Sequence, residues 1–405
     1  MRKPIRFIVV LLVLWACEPP EELSTIEIPT PVQEGGEPNL FSSSNGELYL
    51  SWVEYLNDST DALNYARLTE NTWVKPKEIA RGTDWFVNWA DFPSLALFPD
   101  TESMAAHWLQ KSAGGTYDYD VRVSISKDTG DSWSPSFIPH TDGIPAEHGF
   151  VTLLPTSNGR MFATWLDGRN TKTNEEAGAD HGHGHGGAMT LRTAEFDADG
   201  QLFEEAELDQ RICDCCQTDA VMTSNGPIVV YRDRSPEEIR DIYIVRKIDS
   251  TWTEPQPVAS DNWKIAGCPV NGPAAAAKGD LLAVAWFSAA NQENRVKVAL
   301  SQNAGASFTE AFIIDDGQPI GRVDIVLNEE GEALVSWIEE VEGEGEIRIA
   351  TVNEQGKQGE SKTLMETGIS RQSGFPILEK YEDSYVLAWT SGEEKTTVRT
   401  LRFDL

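Results

Sequence analysis

The apolar residues of this chain come in short runs, and seven of these runs share one ending. ELYLSW closes on Trp52, SMAAHW on Trp108, RMFATW on Trp165, PIVVY on Tyr231, LLAVAW on Trp286, EALVSW on Trp337 and SYVLAW on Trp389. The intervals are 56, 57, 66, 55, 51 and 52 residues, and a period that steady marks an internal repeat. No segment keeps a long 3.6-residue apolar period, so helices should be scarce. Each repeat divides into four short strands, A to D. In the first, PNLFSS is A, ELYLSW is B, ALNYARL is C and WVKPKEIA is D. In the second, PSLALF, SMAAHW, YDVRVSIS and SFIPH take the same places. Turn residues such as SNG, SNGR, SNGP and EEGE separate A from B.

Four-stranded units repeated radially make a β-propeller. One such unit cannot bury both of its faces, but stacked against neighbours it can. The pattern therefore predicts an all-β fold, a single seven-bladed propeller of four-stranded blades over residues 25–405. The seventh repeat supplies A (FPILEK), B (SYVLAW) and C (TTVRTLRF), and the sequence then stops without D. STIEIPTP, ahead of the first A strand, is a spare strand. It is expected to become the outer strand of the last blade and to close the ring, which leaves fewer open edges.

The first residues, MRKPIRFIVVLLVLWAC, add a compartment. A basic start precedes an apolar run too short to span a bilayer as a mature helix, so residues 1–17 read as a secretory signal. Leu14-Trp15-Ala16-Cys17 resembles the lipobox of bacterial lipoproteins, in which the Cys is lipidated. That resemblance implies a cell-envelope protein, held at the outer membrane through Cys17 alone, facing the periplasm or the surface; the alternative is an ordinary cleaved signal. Residues 18–24 form an acidic, Pro-rich tether. The net charge of −32 repels phosphate backbones and excludes nucleic acid as a partner. A glycan or an envelope protein fits better, and the propeller is expected to be monomeric.

The C–D turns carry a second resemblance. Ser126, Asp128, Gly130, Ser132 and Trp133 stand in SKDTGDSW, which matches the Asp-box S-x-D-x-G-x-[ST]-W of sialidases and related BNR-repeat propellers. Ser301-Gln-Asn303-Ala-Gly305-Ala-Ser307-Phe308 is a degenerate copy in the fifth repeat. The resemblance implies a sialidase-like propeller in which the Asp-box is a structural turn. Its Asp and Ser side chains can bond nearby backbone while glycine allows the reversal.

An antiparallel meander puts the A–B and C–D loops on one face, with the Asp-boxes, and the B–C and D–A loops on the other. The chemically unusual residues all fall on that other face. RICDCCQTD, with Cys213, Cys215 and Cys216, is a D–A loop, and Cys268 lies in the next one. His148 ends the preceding D–A loop. Asp167, Arg169 and the tract of His181, His183 and His185 lie in one B–C loop. Arg232, Asp233, Arg234, Glu237 and Glu238 begin the following one, and Arg371 is in the last D–A loop.

Three readings follow. The cysteines, with His148 and the histidine tract, have the softness to bind copper or zinc. Adjacent side chains of an extended chain point apart, so Cys215 and Cys216 should not both face one ion, leaving three thiolates such as Cys213, Cys215 and Cys268. In an oxidising compartment the four thiols could instead make disulfides that staple a glycan- or protein-binding scaffold, with Trp85 and Trp89 as recognition aromatics or as packing residues. The sialidase resemblance implies an exo-α-sialidase-like glycosidase, with arginines on the substrate carboxylate and catalysis drawn from Asp167, Arg169, Arg232, Asp233, Arg234, Glu237, Glu238 and Arg371. Against it, the family's Arg-Ile-Pro signature is replaced by Gly36-Glu37-Pro38-Asn39, and no tyrosine stands out as nucleophile; Tyr231 holds a repeat position and reads as core.

Overall fold

The computed structural model describes residues 23–99, 102–172 and 187–405. Seven antiparallel sheets follow one another around a central axis. Blade 1 is Gly35–Ser42, Leu48–Asn57, Thr60–Thr69 and Lys77–Gly82, and blade 3 is His148–Pro155, Met161–Asp167, Thr190–Phe196 and Leu202–Asp209. Blades 4, 5 and 6 repeat this order from Asp219–Thr223, Ala274–Lys278 and Pro319–Leu327. The closure expected from STIEIPTP is realised: Thr25–Ile28 pairs with Thr397–Phe403 as the outer strand of blade 7. Blade 2 departs from the pattern, with three strands, Ser94–Leu97, Met104–Lys111 and Tyr119–Ser126. Of its expected fourth strand, SFIPH, only a Val123–Phe137 bridge forms. Helix among the described residues is confined to three single 3₁₀ turns.

The B strands are buried on both faces, because each blade packs between two neighbours. That is why they read as unbroken apolar runs rather than as an alternation. Met161–Asp167 is buried at every position. The repeated aromatics Trp52, Trp165, Tyr231, Trp286, Trp337 and Trp389 are at most 1% exposed. Five of the six have their polar atom matched by a carboxylate, in three cases an acid two residues on. Trp52, Trp165 and Trp337 donate Nε1–H to Glu54, Asp167 and Glu339 at 2.8, 2.8 and 2.7 Å. Tyr231, in the core as expected, donates to Asp209 at 2.6 Å.

The A strands line an axial cavity of about 530 Å3. Carboxylates tie these strands across blade seams. Asp91 accepts from Phe150 N at 2.7 Å, Asp219 from Ala275 N at 2.7 Å, and Asp324 from Leu378 N at 2.6 Å. Burial raises Asp91, Asp219 and Glu379 to about 7. Three A strands also bulge near the D–A end, where Glu37, Phe150 and Arg322 take φ of 51°, 54° and 55°. A bulge re-aims the side chain it contains. Glu37 consequently meets Tyr55 Oη at 2.7 Å, and burial lifts it to about 7.

Candidate functional site

The Asp-box turn has the structural role that its resemblance implies. Asp128 accepts from Ser126 Oγ, Ser132 N and Ser132 Oγ at 2.8, 2.9 and 2.5 Å, and Gly130 N donates to Ser126 Oγ at 2.8 Å. In the degenerate copy Asn303 Oδ1 accepts from Ser301 Oγ and Ser307 N, and its Nδ2 donates to Ser307 Oγ, each at 2.9 Å. Gly130 and Gly305 reverse the chain at φ +79° and +75°. The polar chemistry that remains unexplained lies at the other face.

There, RICDCCQTD is pinned where it enters blade 4. Ile212 bridges to Asp233, and Cys213 N donates to Arg232 O at 3.0 Å. Gln217 joins two other blades, donating to Ala90 O at 2.6 Å and accepting from Gly272 N at 3.0 Å. Asp214 and Cys215 form a turn, and this corrects the expectation that Cys216 would point away. Cys213 Sγ lies 3.5 Å from Cys216 Sγ and 3.9 Å from Cys215 Sγ, and all three sulfurs lie within 4.8 Å of one another. Cys268, the exposed member, lies on the next D–A loop, outside this group of three sulfurs but close enough to act on the Cys215 thiol. The four thiols are unbridged.

A fully buried cation completes this cluster. Arg240 Nη1 donates to Cys213 Sγ at 3.1 Å, and its Nη2 donates to Glu238 at 2.9 Å. Burial alone would raise the Cys213 thiol. Hydrogen bonds from Cys215 and Cys216 and the charges of Arg240 and Arg232 outweigh that and hold it well below the ordinary thiol range. Cys215 is pushed up by sharing its proton first with Cys213, then with Cys216 and Cys268. Nearby, burial raises Glu147 to about 8; Asp91, Asp214 and Cys268 add to the shift, and Tyr119 Oη donates to the carboxylate at 3.0 Å.

The candidate arginines do not converge on an open pocket. Arg232 is buried and donates to the carbonyls of Asn271, Arg240 and Phe287 at 2.6–3.0 Å. Arg234 is paired with Glu238 and Asp214 at 2.8 and 3.1 Å. Arg169 is paired with Asp167 and Asp142 at 2.7 and 3.0 Å, and Asp167 is fully buried. Asp233, half-buried, is raised to about 7 by burial and by Asp209, whereas Glu237 is exposed beside Ser235. Arg371 is exposed, 6.0 Å from the Trp89 ring. Trp89 stacks on Phe375 at 5.7 Å and Trp85 on Trp108 at 5.4 Å, so each packs against a neighbouring ring and is half-buried. His148 does not join the cysteines; its partners are His140, Asp142 and the Tyr119 and Ala146 carbonyls. Cys17 and His181, His183 and His185 lie outside the described residues.

Arg240, Glu147, His140 and Asp142 escaped sequence reasoning. Arg240 ends a loop already rich in charge, and nothing in YRDRSPEEIRD distinguishes Arg232 and Arg240, which turn inward, from Arg234, which does not. His140 closes the SFIPH run and reads as part of a strand.

The model of the BNR repeat-like domain family matches residues 59–389. No curated protein matches the sequence. Among solved structures, a protein of unknown function from Dyadobacter fermentans superposes with a TM-score of 0.52 at 12% identity, covering 94% of this chain and 98% of that one. The polysaccharide lyase Uly1 gives 0.52 at 11% identity, covering 92% and 90%. A point mutant of the NanB sialidase from Streptococcus pneumoniae gives 0.49 at 9% identity, covering 88% and 83%. At such identities the likeness concerns the fold alone. With seven blades, Asp-box turns and a family match over most of its length, the chain belongs to the BNR repeat-like family of sialidase-like propellers.

Proposed function

We propose that this propeller is an envelope lipoprotein whose D–A/B–C face binds a thiophilic metal ion through Cys213, Cys215 and Cys216, with Cys268 as an exposed fourth donor. The observation that carries this reading is the convergence of three sulfurs within 4.8 Å against a buried guanidinium. Soft thiolates select copper(I) or zinc. A trithiolate bound to either ion is anionic, and burying that charge is costly unless it is paired. Arg240 supplies the pairing from behind Cys213. Cys268, on a separate loop and exposed, is placed to receive an ion and pass it inward. Anchoring through Cys17 would hold the site at the envelope surface.

The test is metal analysis and thiol counting on reduced, anaerobically prepared protein titrated with Cu(I) and with Zn(II). One ion per chain, with binding abolished by Cys213→Ser, is expected. No uptake by fully reduced protein would overturn the proposal. Two native disulfides with no free thiol among the four would overturn it in favour of the stapled scaffold.

A further inference from the structure

A second polar cluster lies at the seam of blades 2 and 3. His140 and His148 stack face to face, with ring centroids 3.8 Å apart and planes 7° from parallel. His148 is completely buried and His140 is 6% exposed. Neither ring nitrogen of His140 has a partner within hydrogen-bond distance; Nδ1 faces Asp142 Oδ1 at 3.6 Å. A buried polar group left unmatched is costly, so its persistence calls for a reason.

The surrounding atoms share one property: they accept. Asp120 Oδ1 lies 3.8 Å from both His140 Nε2 and His148 Nδ1. The carbonyl oxygens of Tyr119 and Ala146 each lie 3.2 Å from His148 Nδ1. On the other side of the ring, Asp142 Oδ2 accepts from His148 Nε2 at 2.9 Å. That bond places a proton on Nε2 and turns Nδ1 toward the oxygens. A carboxylate holding the far nitrogen of a histidine is how proteins orient an imidazole toward a metal.

The spacing agrees. A nitrogen–oxygen gap of 3.8 Å is too long for a hydrogen bond. Two donors each about 2.1 Å from one ion, at angles between tetrahedral and about 130°, stand roughly 3.4–3.8 Å apart. Charge agrees as well. Asp142 and Asp167 share Arg169, which also pairs with Glu205, and the ion pairs of Asp120 are with His140 and His148. The Asp120 side chain is 20% exposed, which leaves a way in.

We propose that Asp120, His140 and His148 bind a divalent first-row transition ion, with the Tyr119 and Ala146 carbonyls beside it and Asp142 holding His148 from behind. Two imidazoles, a carboxylate and carbonyl oxygens suit Zn(II), Fe(II) or Co(II) rather than Cu(I), so this site differs in chemistry from the thiol cluster. Binding displaces any proton on His148 Nδ1. It also splays the two rings, because both in-plane lone pairs must point at the shared ion.

Co(II) tests this directly. The full chain is prepared with Cys213, Cys215, Cys216 and Cys268 replaced by Ser, and with His181, His183 and His185 also replaced by Ser. This protein is expected to bind one equivalent with weak d–d bands and no sulfur charge-transfer absorption. His140→Ala and Asp120→Asn should each weaken binding at least about 10-fold, with unchanged circular dichroism. Should His140→Ala fail to fold, Asp120→Asn alone decides. Absence of binding in this background, or affinity indifferent to both substitutions, overturns the proposal whatever the thiol site does.

Discussion

The two faces of the propeller solve opposite problems. On the Asp-box face, polar groups bond locally and are interchangeable. Asp128 in one turn and Asn303 in another support the same bonds to a serine and to the backbone, so the charge itself is dispensable there. On the opposite face, charge is carried inward: Arg240 and Arg232 are buried, His140 is unmatched, and Glu147 is raised to about 8 chiefly by burial. Groups held at such cost cluster where a fold acts rather than where it merely turns. A propeller can concentrate its chemistry on one face because the loops of the other need only reverse the chain.

Substitutions should separate the faces, and the largest effect is expected at Arg240. Arg240→Met leaves the Cys213 sulfur without its buried cation, while Glu238 keeps Arg234. It should cost about 3–5 kcal/mol by urea denaturation and weaken metal binding at the cysteines about 10- to 100-fold. A neutral result would remove the contrast between the faces.

The next effect is conformational and lies on the plainer face. Gly130→Ala should cost about 1–2 kcal/mol, because φ is +79° and the new Cβ would run into the Tyr65 hydroxyl. It should leave metal binding unchanged, which calorimetric titration would check.

A smaller, pH-dependent effect belongs to the axis. Asp91, Asp219 and Glu379 have native pKa values near 7, raised by burial from 3.8, 3.8 and 4.5. Between those limits the native state holds more protons than the unfolded one, so their contribution falls as pH rises from about 4 through 7. Urea midpoints should therefore drop between pH 5 and pH 8. Asp219→Asn, which keeps an acceptor for Ala275 N, should flatten that drop. An unaltered drop would show that Asp219 is ionised without penalty.

The smallest effect is expected at Asp128→Asn, which copies the turn already present at Asn303. The thermal midpoint should not move measurably. A clear loss would mean that the charge at the Asp-box, and not its shape, supports the turn.

Much of this molecule was determined by its sequence alone. The number of blades, the burial of the repeated tryptophans, the closure by STIEIPTP and the Asp-box turns all follow from period, strand pattern and turn residues within a few positions of one another. The same local logic placed the cysteines on the D–A/B–C face, because strand direction alternates whatever the side chains do. It could not say that the Asp214–Cys215 turn folds Cys216 back onto Cys213, nor that Arg232 and Arg240 of YRDRSPEEIRD would be buried and Arg234 would not. Nor could it foresee that His148 would leave the cysteines and stack on His140. Those outcomes depend on how loops from neighbouring blades approach one another around the axis. Burial, and with it the charge state and partners of each polar group, is set by atoms distant in the chain, and only the tertiary structure brings them within reach.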